Sequence, residues 1–268
     1  MKFTVLSLFP DVINAYFSAS IAAKALERGL IRYRSLNIRD FALDKHKTCD
    51  DAPYGGGAGM VLLAAPLARA LEAAGVRKKN TGNHIPENSF CNENGRIKTV
   101  YLSPSGTPFD QNKAAEFARC KELVLICGRY EGIDKRIVDL YVDEEISIGD
   151  YVLSSGEIAA LAVIDAVHRL IAGVITRESL DEESFTGGLL EYPQWTRPEI
   201  FDTMNVPEVL LSGHHERIRR SRLEWRVEKT MLNRPDLLDK GIKTGLFDKE
   251  TVDIIKKMRE TQKGVSYE

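Results

Sequence analysis

The sequence predicts an α/β fold built around a parallel sheet, and the stretch 98–172 carries that prediction. Three short apolar runs occur there, at 98–102, 123–127 and 144–148, with helix-like segments between them. This alternation is typical of parallel β–α units, because a parallel strand needs a long crossover before its neighbour. A long apolar helix at 158–172 follows the third run and is expected to be largely buried.

The other elements of this half follow from periodicity and from end signals. Pro10 with Asp11 is typical of a helix start, and Gly29 is typical of a helix end. The pattern Ser154-x-x-Glu157 has the form of a capping box, in which a hydroxyl and a carboxylate bind free N–H groups of the first turn. The remaining predictions are strands at 3–8 and 33–38, helices from 10 and at 20–28, 66–74, 110–120 and 133–141, and Gly173 as the cap of the helix at 158–172.

A polar and acidic stretch at 176–188 predicts a flexible interdomain linker. We expect an α/β domain at 1–175 and a smaller helical domain at 189–268. Residues 77–96 are rich in asparagine and lack an apolar period, so we expect a loop or an insertion there. The helices predicted for the smaller domain are 207–211, 214–233 and 249–262.

Composition excludes several classes of protein. No apolar run is long enough to cross a membrane, and the first residues alternate like a strand rather than a cleaved signal. The formal net charge of −2 does not by itself indicate a nucleic-acid-binding protein. The four cysteines form no C-x-x-C pair and the histidines are scattered, so we expect no metal site, free thiols and a cytoplasmic location.

Glycine and proline turns follow each of the three apolar runs, at 103–106, 128–132 and 148–156. In parallel sheets, ligands bind outside the carboxyl ends of strands, and glycine lets the backbone approach a ligand closely. Two interpretations stay open: three unrelated turns, or one shared pocket. The glycine-rich run at 55–59 lacks the spacing of a phosphate-binding loop and by itself is more typical of a flexible turn.

The segment 214–234 carries seven Arg and Lys residues against three Glu residues. A solvated helix face is one interpretation of this excess of positive charge. A surface that contacts the phosphate backbone of a nucleic acid is the other, because Arg binds phosphate in a bidentate manner.

Five longer motifs resemble those of one enzyme family. They are Tyr54-Gly-Gly-Gly-Ala-Gly-Met60, Leu125-Ile-Cys-Gly-Arg-Tyr-Glu-Gly-Ile-Asp134, Ile146-Ser-Ile-Gly-Asp-Tyr-Val-Leu153, Tyr192-Pro-Gln-Trp-Thr-Arg-Pro198 and Val209-Leu-Leu-Ser-Gly-His214. In this order, and over nearly the whole chain apart from 77–96, they resemble the bacterial tRNA (guanine-N1)-methyltransferases of the TrmD type.

The resemblance implies a fold, a reaction and partners. The fold is a SPOUT parallel sheet whose chain forms a deep trefoil knot, here at 99–156, with a small C-terminal helical domain that binds tRNA. The reaction transfers a methyl group from S-adenosylmethionine to N1 of the guanine 3′-adjacent to the anticodon, at position 37. The partners are tRNA and a second copy of the chain, in a homodimer with the active site at the subunit interface, and Mg²⁺ is an accompanying ion.

The resemblance also implies roles for individual residues. Arg169 matches the active-site arginine, and Glu183 matches the general base, with Asp181 and Glu182 as alternatives. Glu183 stands where the family commonly has Asp, and Ser155 where it commonly has Gly. Cofactor contacts are implied for Leu102, Ser103, Pro104, Gly106, Gly128, Tyr130, Glu131, Gly132, Ile148, Gly149, Tyr151, Leu153 and Gly156. Substrate contacts are implied for Gly55, Gly56, Gly57, Gly59, Arg197, Arg217 and Arg220.

Two other functions stay open. A SPOUT ribose 2′-O-methyltransferase would share the knot, but we expect it to lack the 54–60 motif and the C-terminal helical domain. A catalytically silent RNA-binding protein would belong to another class, and the intact loop motifs together with Arg169 disfavour it.

Overall fold

A computed structural model describes residues 1–79, 97–176 and 183–265, with side chains as far as residue 261. Most of the predicted insertion and the alternative bases Asp181 and Glu182 lie outside the described residues. The chain divides into two compact units, Met1–Ile175 and Thr176–Glu268, which we describe separately.

The first unit is built on a five-stranded sheet in the order β2-β1-β6-β5-β7. All of its neighbouring strands are parallel, which confirms the predicted α/β class. Its strands are β1 (Lys2–Ser7), β2 (Arg32–Asn37), β5 (Ile97–Pro108), β6 (Glu122–Cys127) and β7 (Glu144–Ser147), and a separate hairpin pairs β3 (Asp50–Asp51) with β4 (Val61–Leu62). Its helices are α1 (Pro10–Phe17), α2 (Ser20–Glu27), α3 (Ala64–Ala73), α4 (Gln111–Phe117), α5 (Lys135–Tyr141) and α6 (Gly156–His168), with a 3₁₀ turn at Ile38–Phe41.

Helices cover both faces of the sheet. On one face, Val5 of β1 belongs to the same buried cluster as Val163 of α6. On the other face, Leu6 of β1 is buried with Leu67 of α3 and Ile137 of α5. Successive side chains of a strand point to opposite faces, so a strand buried on both sides is apolar throughout. This burial explains why the apolar runs of the sequence become the central strands.

The strand predicted at 98–102 corresponds to β5. Its predicted end at residue 102 was wrong, because β5 continues to Pro108. Leu102 and Thr107 both lie opposite Ile146 of β7, so the residues between them form a bulge inside the strand. Such bulges are common beside binding sites, where they redirect the chain without ending the pairing. The turn residues 103–106 therefore belong to a paired strand and not to a loop after it.

The predicted capping box was also wrong. Helix α6 begins at Gly156, and Ser155 is its N-cap without a side-chain cap hydrogen bond. Glu157 is buried instead, and its Oε1 accepts a hydrogen bond of 2.5 Å from Ser7 Oγ. Because the helix starts later than predicted, the Glu157 carboxylate faces the sheet rather than the first turn. The helix ends at His168 with Arg169 as its C-cap, before the predicted end at 172.

The second unit is mainly helical. Its core contains Leu189, Val227, Leu238 and Ile255. Its elements are a 3₁₀ turn (Thr186–Gly188), a hairpin of β8 (Ile200–Phe201) and β9 (Met204–Asn205), and helices α7 (Glu208–Leu211), α8 (His215–Asn233), α9 (Pro235–Thr244) and α10 (Lys249–Val265). The hairpin and α9 were not predicted from the sequence.

Part of the stretch predicted as a linker is folded within the second unit. The backbone N–H of Phe185 donates to Leu189 O at 2.8 Å, and the N–H of Glu191 donates to Ser184 Oγ at 3.0 Å. Arg226 of α8 donates to the carbonyl oxygen of Thr186 at 3.1 Å. The described residues from 183 onward are therefore held by hydrogen bonds and not left as free chain.

The cysteines differ in their state. Cys49 and Cys127 are free, buried thiols, as expected from the sequence. Cys120 is disulfide-bonded, which the sequence spacing did not predict. Among the described helices, none combines the length and the apolar character that a membrane span requires.

Candidate active site

A cavity of about 340 Å³ opens at the bulge of β5, at the carboxyl ends of β6 and β7 and at the start of α6. The three strands are neighbours in the sheet, so the segments that follow or interrupt them meet at one edge. The bulge of β5 supplies Ser103 and Pro104, the turn after β6 supplies Gly128, and the chain after β7 supplies Gly149. The sequence left open whether these turns were unrelated, and the structure brings them together.

Twelve of the thirteen residues expected to contact a cofactor line this cavity. The exception is Gly106, which packs against the backbone of Glu145 and Ile146 in the neighbouring strand. The twelve are Leu102, Ser103, Pro104, Gly128, Tyr130, Glu131, Gly132, Ile148, Gly149, Tyr151, Leu153 and Gly156. Lining residues that sequence reasoning missed are Tyr101, Ser105, Arg129, Ile146, Ser147, Val152, Ser154, Ser155 and Ala159.

The floor of the cavity depends on a close approach of two backbones. The N–H of Gly156 donates to Gly128 O at 2.8 Å. A Cβ atom at Gly156 would lie 2.7 Å from Gly128 N and 2.8 Å from Cys127 Cα, closer than such atoms can come. Gly156 therefore lets α6 begin directly against the end of β6.

Gly149 shapes the wall formed after β7. Its φ of +150° lies in the region that only glycine adopts readily, and a Cβ atom there would lie 2.5 Å from the ring of Tyr151. Ser147 Oγ donates to Gly149 O at 3.1 Å and accepts from Gly149 N at 3.3 Å, so the turn is held by its own side chain.

Tyr101 forms an inner wall of the same cavity and is 8% exposed. Burial raises the pKa of its phenol, and the nearby charge of Glu145 raises it further. Gly128 and Gly132 both lie against the ring, since Cβ atoms there would approach the Tyr101 hydroxyl to 3.0 and 3.2 Å. The phenol therefore remains a protonated hydrogen-bond donor at neutral pH.

The glycine-rich run forms the loop between β3 and β4. Gly55, Gly56, Gly57 and Gly59 all have positive φ, which accounts for glycine at each position. The loop is joined to the cavity, because Glu131 N donates to Met60 O at 3.0 Å. A side chain at Gly59 would collide with the side chain of Glu131. These contacts distinguish the run from an unrelated turn.

Arg169 follows α6 in the first unit and is partly exposed. Its neighbour His168 is buried, with Nε2 2.8 Å from the hydroxyl of Tyr16, and that hydroxyl donates to Asp165 Oδ1 at 2.5 Å. Burial lowers the pKa of His168, Asp165 opposes this effect, and Arg169 adds to it. Burial and the hydrogen bond to Asp165 raise the pKa of Tyr16. This network fixes the end of the helix from which Arg169 projects.

Glu183 belongs to the second unit and is partly exposed. Its carbonyl oxygen accepts a hydrogen bond of 3.1 Å from Thr186 N, at the start of the 3₁₀ turn.

The positive charges of α8 divide into two groups. Arg219 pairs with Glu216 and Glu250 at 2.8 and 2.9 Å, and Arg220 pairs with Glu224 at 3.4 Å. Arg217 is exposed, as is Arg197 ahead of the helix. The helix is thus neither a uniformly charged face nor a fully neutralised one. Across the described ranges, no group of three His, Cys, Asp or Glu residues could hold a metal ion.

Comparison with known sequences identifies the family. A family model described as tRNA (Guanine-1)-methyltransferase TrmD matches residues 1–240. A Treponema denticola protein named tRNA (guanine-N(1)-)-methyltransferase is 54% identical over 256 residues, which is 96% of this chain and 98% of the relative. Proteins of the same name are 50% identical in Treponema pallidum, over 96% of both chains, and 55% identical in Borreliella burgdorferi, over 88% of this chain and 92% of the relative. The chain therefore belongs to the TrmD family of tRNA (guanine-1)-methyltransferases.

Proposed function

We propose that this protein transfers a methyl group from S-adenosylmethionine to N1 of the guanine 3′-adjacent to the tRNA anticodon, at position 37. The observation that carries the proposal is the cavity at the ends of β5, β6 and β7, which gathers three glycine-rich segments in a chain of this family. The activity named for the relatives supports tRNA guanine as the acceptor.

The cavity residues fit S-adenosylmethionine in their chemistry. Leu102, Ile148 and Leu153 offer an apolar surface for a planar base, and the oxygens of Ser103 and Glu131 offer partners for hydroxyl and amino groups. Glycine at positions 128, 149 and 156 lets the segments of the lining pack closely against each other, because an added Cβ atom would meet neighbouring protein atoms. When bound, this cofactor supplies an electrophilic methyl group on a sulfonium.

Glu183 acts as the general base in the proposed reaction. Guanine N1 carries a proton at neutral pH, and Glu183 accepts it. Deprotonated N1 would then be ready to receive the methyl group that bound S-adenosylmethionine would supply. Holding N1 of the target guanine in line with the methyl group supplies much of the rate. Asp181 and Glu182 are the alternative bases.

Arg169 stabilises the charge that this step creates. Loss of the N1 proton moves negative charge onto guanine O6, and a fixed guanidinium near O6 lowers the energy of that state. The target guanine must leave the stacked anticodon loop to reach the site, so we expect it to be extruded. The glycine run 55–59, Arg197, Arg217 and Arg220 are the proposed substrate contacts.

We further propose that the chain is knotted at 99–156 and acts as a cytoplasmic homodimer with the active site between subunits. The hydrogen bond from Gly156 to Gly128 supports the knot, because it brings the start of α6 against the end of β6. Membership of the TrmD family is what supports the dimer. In this arrangement Arg169 of one subunit works with Glu183 of the other.

The direct test is to map the methylated position. We expect wild-type protein to methylate a tRNA transcript with labelled S-adenosylmethionine, and nuclease digestion with mass spectrometry to find 1-methylguanine at position 37. Replacing that guanine with adenine should abolish the product. Methylation of a ribose 2′-hydroxyl would overturn the proposal, and so would the absence of S-adenosylmethionine binding in calorimetry. Repeating the assay with EDTA tests the implied role of Mg²⁺.

The roles of individual residues need a second experiment. Glu183→Gln should keep S-adenosylmethionine binding and lose turnover, whereas Glu191→Gln, a neighbouring partly exposed carboxylate, should keep both. Near-normal turnover of Glu183→Gln together with loss in Asp181→Asn would reassign the base. Mixing Arg169→Ala with Glu183→Gln subunits should restore part of the activity if the site is shared between subunits, and no recovery would argue against a shared site.

A further inference from the structure

Both tryptophans of the chain line one cavity of about 500 Å³ in the second unit. The cavity lies between the segment before β8 and helix α8. Ile218, Arg222 and Trp225 of α8 contribute to it at i, i+4 and i+7 spacing, which places them on one face of the helix. Trp195 and Arg197 contribute from the facing segment.

The aromatic side chains leave an accessible π surface. The rings of Trp195 and Trp225 are 4.9 Å apart, inclined at 52° rather than stacked on each other. Trp195 is 39% exposed, so part of its ring surface remains outside the core of the unit. The guanidinium of Arg222 lies 4.6 Å from the centre of the Tyr192 ring, which adds a planar cation to the lining.

The charge of the lining favours an anionic ligand. Arg197 and Arg222 are cationic, and Glu199 is the acidic residue among the described lining residues. Val206 N donates to Glu199 O at 3.0 Å, so the base of the β8–β9 hairpin forms a wall of the same cavity. The exposed Arg217, next to Ile218 on α8, extends the positive charge beyond it.

We propose that this cavity binds an unstacked nucleobase from a single-stranded loop of the RNA substrate, with Trp195 and Trp225 as the stacking surface and Arg197 on the phosphate. Single-stranded loops are recognised through splayed bases that stack on aromatic rings and Arg planes, which are the groups gathered here. The cavity is a second contact for the tRNA, in the unit that does not carry the cofactor cavity, and the proposal rests on the proposed function. The two guanidinium groups would contribute less binding free energy to a peptide partner than to an RNA, which carries phosphates.

The chain offers a direct reporter, because its two tryptophans both lie in the cavity. Titration of wild-type protein with an anticodon stem-loop RNA should quench the intrinsic tryptophan emission at the same RNA concentrations that saturate binding measured by anisotropy. Trp225→Leu should raise the Kd for the RNA about 5- to 150-fold, the range expected for removal of one base–aromatic stack. Trp225→Phe should retain most of the affinity, and Leu232→Ala, at an exposed position on the same helix, should retain all of it.

The outcomes separate this proposal from the proposed function. Normal RNA binding and methylation with unchanged tryptophan emission would overturn the cavity proposal. A peptide segment would then be the remaining candidate for the cavity, and the proposed function would stand. Quenching by RNA in a protein that methylates no guanine would support the cavity and refute the function. The emission measurement uses wild-type protein, so it decides the question even if a variant fails to fold.

Discussion

Gly106 lies where the bulge of β5 returns to its pairing with β7. Its α-carbon faces the backbone of Glu145 and Ile146, and it does not line the cavity. The bulge of β5 can rejoin β7 only because no side chain stands between the strands at this position. Gly106 thus takes part in the strand pairing, and its implied contact with a cofactor stays a prediction.

Gly106→Ala is expected to destabilise the protein before it affects the cofactor. The added methyl group would meet backbone atoms that cannot move aside, and such overpacking costs about 1–3 kcal/mol. Chemical denaturation followed by circular dichroism measures the destabilisation. Ser105→Ala, which lines the cavity without this contact, should leave the unfolding midpoint unchanged. Equal stability of the two variants would contradict the scaffold role.

His168 is expected to make stability depend on pH. Burial lowers its pKa below the ordinary value of 6.5, so the unfolded chain binds a proton more readily than the folded chain. Its stabilising contribution is therefore complete above about pH 7 and falls as the pH drops through 6.5 towards the folded-state pKa. Urea midpoints between pH 7.5 and 5 should fall less in His168→Phe than in wild type, and an equal fall in the two proteins would contradict this role of His168.

At the scale of elements, α6 is tied to the sheet through a buried polar contact. Glu157 in its first turn accepts from Ser7 at the end of β1, and Ser7 Oγ also accepts from Phe9 N at 2.7 Å. One hydroxyl thus joins the end of a strand, the following turn and the start of a helix. Buried groups of this kind are costly to leave without a partner, so the contact fixes where α6 begins.

Ser7→Ala should destabilise the protein by about 2–3 kcal/mol, because it removes a hydrogen bond to a buried carboxylate. Ser18→Ala is the matched control, since its hydroxyl makes one exposed hydrogen bond of 2.7 Å to Ala15 O. That change should cost no more than about 0.5 kcal/mol, as surface substitutions usually do. Equal destabilisation of both variants, measured by denaturant unfolding, would show that the buried contact contributes no more to the free energy of unfolding than an exposed one.

The elements predicted best from the sequence are those whose signal is local. Apolar runs located the central strands to within a few residues apart from the end of β5, because burial on both faces leaves few polar positions. Helix α9 was missed although Pro235 begins it and Gly245, with φ of +66°, ends it, because its apolar positions are few and polar residues separate them. The capping box failed because a Ser-x-x-Glu pattern does not reveal that Glu157 faces a strand distant in sequence.

At the scale of the whole molecule, the cavity could be predicted only in outline. Sequence indicated three turns at strand ends, but their meeting depends on the strand order, which places β5 between β6 and β7. Arg129 lines the cavity although it was not among the expected cofactor contacts, which included its neighbours Gly128 and Tyr130, and its guanidinium lies 4.9 Å from the centre of the Phe9 ring. Nothing local in the sequence shows which side of that turn faces inward.

The salt dependence of RNA binding tests the charge distribution of the second unit. Arg217→Ala with Arg220→Ala should weaken tRNA binding and lower the slope of log K against log salt by about 1–2, roughly one unit for each phosphate that the variant no longer neutralises. The control is Arg234→Ala with Arg259→Ala, which removes the same charge from residues paired with Asp236 and Asp239. A similar slope change in both double variants would indicate a general charge effect instead of a phosphate-binding surface.

The cavity beside β5, β6 and β7 is lined entirely by residues between 101 and 159, an unbroken run of the chain. A site assembled from distant parts of a sequence changes whenever any of those parts is exchanged. A site encoded by one short run can be inherited as a single genetic segment, together with the strands that support it. Recombination outside this run can therefore exchange other parts of such a protein and leave the lining of the cavity unchanged.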